Sequence, residues 1–136
     1  MDDDRIKHSL AVAKKMVEIA SNIGLSNEKI GDCFLIGLNH DIGYEFAENK
    51  LDHNKIGGEI LKRTGFKYWK EIYYHGMITD EYNSLYLNIL NQADMQIDKY
   101  GNDVGYEKRL EEIKKRYGDV SEEYKNSKKL INLLNK

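Results

Sequence analysis

The chain of 136 residues has no proline and a single cysteine, Cys33. Without proline, its helices must be ended by glycine, by short polar residues or by a change of pattern. One cysteine cannot close an internal disulfide, and the acidic opening Met-Asp-Asp-Asp-Arg lacks the basic and then apolar build of a secretory signal. A reducing cytoplasm is the expected location. No apolar run approaches the roughly 20 residues that span a bilayer, so no membrane is expected among its partners. Neither sign of charge dominates, since 21 Lys and Arg face 23 Asp and Glu for a formal net charge of -2. That balance argues against polymeric nucleic acid as the main partner.

What is present is enough for one core. At 40% hydrophobic residues the chain can bury a single domain over 1-136, with a core at about 5-100 and a helical extension at about 105-136. Segments with helical apolar spacing alternate with short Gly, Asn, Asp or Ser breaks, which predicts an all-α fold. The first helix spans about Arg5 to Ile23, with Lys7, Lys14, Lys15, Glu18 and Ser21 on a polar stripe and Leu10, Val12, Ala13, Val17, Ile19 and Ala20 around the rest. Ser26 is the expected N-cap of a second helix that runs to about Asp41, where Gly43 is placed to stop it. Asp52 can cap a third helix to Thr64, with Gly65 as terminator, and an aromatic segment from Phe66 to His75 follows. Thr79 or Asp80 can cap a fifth helix with Tyr86, Leu90, Ala93 and Ile97 inward. Tyr106, Leu110, Ile113 and Tyr117, then Tyr124, Leu130, Ile131 and Leu134, mark two later helices that pack on the rest or form an interface, a homodimer being one option.

Four histidines, His8, His40, His53 and His75, fall near helix ends or at the margin of an apolar face, and the charged C-terminal third has none. Any one of them alone reads as a hydrogen-bonded structural residue. Asp94 adds a carboxylate beside an inward stripe, where it must be paired, protonated or bound to a cation. A salt bridge to Lys99 or Arg5 would serve. With four imidazoles at hand, a metal is the better answer. His40 and Asp41 are adjacent, so their side chains diverge by about 100° yet can converge on an ion beside the last turn. Asp41 has two oxygens and is the natural bridge between two ions in a hydrolytic site, which makes it the residue expected to matter most for catalysis.

The order His8, His40-Asp41, His53, His75, Asp94 resembles the H…HD…H…H…D signature of the HD-domain superfamily, and Gly37 before the pair with Ile42-Gly43 after it strengthens the likeness. The resemblance covers about residues 5 to 100. It implies a bundle of about five core helices around a metal, with His8, His40, Asp41 and Asp94 on one ion and His53 and His75, sharing Asp41, on a second. It also implies a metal-dependent phosphohydrolase acting on a nucleotide or related phosphorylated metabolite. Four imidazoles among six ligands favour Fe, Mn, Zn or Ni over Mg.

This chain departs from the family pattern where many members carry a phosphate-binding Lys, having Tyr44-Glu45-Phe46 after Gly43 instead. Lys50, Lys55 or Arg63 could take that role, or could be solvated helix charges. His75 is followed by Gly76, and the His-His and Gly-Tyr-Pro signature of the cyclic-dinucleotide branch is missing, so that substrate is set aside. A di-iron oxygenase of the same fold and a catalytically silent metal-bound signalling module are the alternatives. Gly57-Gly58 reads as close helix packing, Cys33 as core, and the Tyr68-Trp69 and Tyr73-Tyr74 pairs as core or interface that could otherwise stack a base.

Overall fold

The computed structural model describes residues 3–46 and 52–135. Among these the chain forms seven α-helices and no strand: α1 (Asp3–Asn22), α2 (Asn27–Asn39), α3 (His53–Arg63), α4 (Trp69–Tyr74), α5 (Leu85–Asp94), α6 (Gly105–Tyr117) and α7 (Glu122–Leu134), with a 3-10 turn at Ile42–Glu45 after α2. The all-α expectation holds. No helix among the described residues is long and apolar enough to cross a membrane.

The core is built on α1, α2 and α5. Val12, Met16, Ala20, Cys33, Ile36, Ile72, Ile89, Leu90, Ala93 and Ile97 form one buried cluster. The buried stripe of α1 is narrower than its composition suggests, because Ile6 and Leu10 face solvent. α1 and α2 cross at contact distance because Gly37 has no side chain: a Cβ there would lie 2.5 Å from the Ala13 Cα. A second cluster of Met95, Leu130 and Ile131, with Tyr106, Leu110 and Leu134 against it, fixes the α6–α7 hairpin to the end of α5. The pair Gly57 and Gly58 also packs closely, with a Cβ at Gly58 meeting the Tyr73 Cβ at 2.5 Å, so α3 rides directly on α4.

Three serines start helices as side-chain caps, Ser26 accepting from Lys29 N–H, Ser84 from Leu87 N–H and Ser121 from Tyr124 N–H. The fifth helix therefore starts later than the Thr79 or Asp80 expectation. Thr79 Oγ1 is used in a local turn to Glu81 N–H, while Ser84 both caps α5 and donates to the buried Glu71 carboxylate, which Tyr82 also reaches. Asp52 occupies the position before α3 but makes no side-chain capping bond. Gly43 is not a left-handed helix stop either; α2 ends at Asn39, and Gly43 is needed because a Cβ there would fall 1.7 Å from the His53 carbonyl oxygen. Gly65 does end α3 as expected, at φ +84°. Of the aromatic residues, Tyr68 and Tyr86 donate to Asp32, and Trp69 packs on the core under Lys62.

Candidate metal centre

All six residues singled out from the sequence come together, His40 and Asp41 from one turn and the other four from four different elements. His8 lies on α1, His40 is the C-cap of α2 and Asp41 follows it, His53 opens α3, His75 is the C-cap of α4, and Asp94 ends α5. Five of them are buried, His40 completely, and only His53 is partly open, its side chain 21% exposed.

Three imidazoles are held by their Nδ1 atoms. His8 Nδ1–H donates to Asp98 O at 2.8 Å, His40 Nδ1–H to Gly37 O at 2.7 Å and His75 Nδ1–H to Ile72 O at 2.5 Å. A carbonyl only accepts, so this fixes the tautomer and leaves Nε2 with its lone pair pointing inward. The Nε2 atoms meet carboxylates. His8 Nε2 is 2.9 Å from Asp94 Oδ1 and 3.6 Å from Asp41 Oδ2, and His40 Nε2 is 3.3 Å and 3.4 Å from the same two atoms. On the other side, Asp41 Oδ1 stands 3.4 Å from His53 Nε2 and 3.7 Å from His75 Nε2, which are 3.3 Å from each other. Asp41 thus turns one oxygen to each group. Lone pairs facing carboxylates repel unless a cation lies between them.

The residues fit a divalent ion. His40 Nε2 is fully buried and has no hydrogen-bond partner, a state that costs free energy unless something else satisfies it. Ligand atoms about 2.0–2.2 Å from one ion lie roughly 3.0–3.4 Å apart in octahedral or tetrahedral arrangement, close to the separations found here. Three overlapping groups, His8–His40–Asp41, His40–His75–Asp94 and Asp41–His53–His75, each bring their ligand atoms within 4.8 Å of one another. The electrostatics agree. Burial works against ionised Asp41 and Asp94, yet the surrounding imidazoles hold both carboxyls well below the usual range. Burial would likewise depress His8 and His40, but Asp41 and Asp94 outweigh it and raise both. The cluster demands positive charge, as protons or as metal.

Around this centre the fold adds supports that the sequence did not point to. The Tyr44 ring stacks on His53 at 4.1 Å between centroids, and the Arg5 guanidinium lies 3.5 Å over Tyr44 and 3.6 Å from Asp41 Oδ2. Arg5 therefore pairs with Asp41 rather than Asp94. Gly76, just after His75, gives its N–H to Asn91 and accepts from Asn126 on α7, which ties the His75 turn to two helices. The centre opens into a cavity of about 400 Å³ whose walls include Arg5, Lys99, Arg109 and Arg116. Lys55 and Arg63 do not line it, because α3 turns Asn54, Gly57, Gly58 and Leu61 inward; Lys50 lies outside the described residues. Arg109 had a readable signal: it sits three residues after Tyr106 and four before Ile113, a charge on an apolar stripe like Asp94.

Histidines and aspartates from the interior of α1 and from the ends of four further helices converge here on one buried point that could hold a metal ion. The HD domain family model matches residues 5–116, and the chain belongs to that family. No curated protein and no solved structure matched the chain.

Proposed function

We propose that this protein is a metal-dependent hydrolase of a small phosphate ester, a nucleotide or related metabolite, with His8, His40, Asp41, His53, His75 and Asp94 holding one or two divalent ions. The observation that carries this reading is Asp41, whose two oxygens face separate groups of imidazoles at the floor of a cavity lined by both basic and acidic residues. A bound divalent ion supplies Lewis acidity that lowers the pKa of water to about 7 and offsets charge on phosphoryl oxygens. The chain does the rest by position. The Nδ1 bonds of His8, His40 and His75 fix their rings, so no reorganisation is needed when a ligand arrives. Arg5, set by Tyr44 beside Asp41, adds positive charge at the cavity floor. A cavity of about 400 Å³ falls within the usual range for small-molecule sites and is too small for a folded polymer.

The test is phosphate release from nucleotides, dinucleoside polyphosphates and sugar phosphates by protein loaded with Mn, Co, Ni or Fe, with and without oxygen. Release that needs metal, ignores oxygen and vanishes in Asp41→Ala is the expected result. Oxygen consumption without phosphate release would assign the oxygenase chemistry instead. Silence with every metal, from protein shown to be loaded, would leave the non-catalytic module.

A further inference from the structure

The cations on the cavity wall are not evenly used. Arg5 is committed to Tyr44 and Asp41, whereas Lys99, Arg109 and Arg116 come from one side, α6 and the turn before it. Arg109 and Arg116 are seven residues apart, which places them on one face of α6, about 10 Å apart along its axis. Arg109 is the inner of the two, buried, with Nε donating to Asp94 O at 3.3 Å and Nη1 to Glu112 Oε1. Glu112 braces the whole wall: the same Oε1 accepts from Arg116 Nη2 at 3.0 Å, and Oε2 accepts the Lys99 N–H at 3.2 Å. Asp98 also acts electrostatically on Arg109 and Glu123 lines the same cavity, but among the described residues Glu112 is the carboxylate hydrogen-bonded to these guanidiniums. The remaining N–H groups of Arg109 and Arg116, and the Lys99 ammonium, have no hydrogen-bond or ion-pair partner among the described residues. Ile113, on the same face of α6, lines the cavity with Met95 and adds an apolar surface beside the bridged arginines.

We infer that Lys99, Arg109 and Arg116 form a second phosphate-binding subsite, and that the substrate is a metabolite carrying a further phosphate besides the one that reacts at the metal centre. The inference rests on the phosphohydrolase reading for what happens at the centre, but not for the subsite itself. Guanidinium forks match phosphate in shape and charge, and pre-bracing by Glu112 lowers the ordering cost of using them. Arg109 belongs to both ends, touching Asp94 on one side and the Glu112 brace on the other. Arg116 belongs to the outer end alone.

The experiment is calorimetric binding of two probes to the full metal-loaded chain, hexyl phosphate and hexanediol bisphosphate. They share a phosphate and an apolar spacer, and only the second has another phosphate at the far end. The wild type should prefer the bisphosphate by about tenfold or more, the effect of one good charge-assisted pair. Arg116→Ala should reduce the preference to about the twofold statistical advantage of a symmetric ligand. Arg116→Lys should keep an intermediate preference, and Lys128→Ala, elsewhere on α7, should keep all of it. Equal affinity for both probes in the wild type, or an undiminished preference in Arg116→Ala, overturns the subsite. If the preference behaves as expected and neither probe nor any other ester is hydrolysed, the subsite stands and the hydrolase reading is what fails.

Discussion

Stripping the metal should destabilise the protein by an amount that grows with pH. In the metal-free cluster the compensating cation is a proton. His8 and His40 are raised above 6.5, because Asp41 and Asp94 outweigh burial, and Arg109 only partly opposes this at His8. A histidine raised by folding contributes stability that is fully present below 6.5 and is lost as pH rises through its native value. Asp41 and Asp94 are lowered, so their contribution is present above the unfolded value of 3.8 and is lost only as pH falls through their depressed native values. Metal-free protein is therefore most stable in mildly acidic solution and weakens toward alkaline pH, where unprotonated Nε2 atoms face carboxylates. The ion runs the other way, since it needs neutral imidazoles and competes with protons. At metal 100-fold above its dissociation constant, linkage gives about 2.7 kcal/mol. An unfolding entropy of about 2.1 cal/mol/K per residue is about 0.29 kcal/mol/K for 136 residues, so the metal should add about 9 °C to Tm at alkaline pH. Scanning calorimetry of loaded and chelator-dialysed protein, at about pH 5.5, 7 and 8.5, reads the difference directly. A gap in Tm that is flat or shrinks with rising pH would refute the reasoning.

Asp41→Ala should cost more bound metal than His53→Ala, because Asp41 faces both groups of imidazoles while the partly open His53 reaches only Oδ1; elemental analysis showing the reverse order would contradict the bridging role. Gly58→Ala should destabilise by about 1–3 kcal/mol through overpacking on Tyr73, whereas Gly31→Ala, in α2 with open space around it, should stabilise by about 0.5–1 kcal/mol; denaturant midpoints of equal sign would show that α3 and α4 are not in contact there. Ser84→Ala should cost about 1–2 kcal/mol by losing the α5 cap and a Glu71 partner, and Thr79→Ala under about 0.5 kcal/mol. Equal losses would put the helix start back at Thr79.

The metal-centre candidates were legible because their signal is order and segregation along the chain, which needs no three-dimensional information. The errors fell where a tertiary contact decided between local options of equal merit. Thr79, Asp80 and Ser84 all have capping side chains, and it is Glu71, 13 residues before Ser84, that selects the last of them. Gly43 reads as a helix stop from its neighbours, but its requirement comes from the His53 carbonyl of another helix. The cationic wall was legible only in part: Arg109 stands on an apolar stripe, but Arg116 and Lys99 read as ordinary helix and turn charges until α6 is placed over Asp94.

Why histidines mark helix ends in this chain follows from the backbone. The last carbonyls of a helix have no intrahelical partner. His40 and His75, each at a C-cap, donate Nδ1–H to the carbonyl three residues back, Gly37 and Ile72, which also accepts the same residue's backbone N–H, and this aims Nε2 away from the helix. Position at a helix end thus orients Nε2, and the ends of α2 and α4 bring two Nε2 atoms within reach of one point. His8 cannot work this way, because it lies inside α1 where every carbonyl ahead of it is used. Its Nδ1 is held instead by Asp98 O, in a turn that the Asp98 carboxylate closes on the N–H groups of Tyr100 and Asn102 and that packs on Lys7 through Gly101. The orientation of His8 is therefore the part of the centre that depends on the fold being complete, and the turn at 98–102 is where damage far from the cluster would reach it.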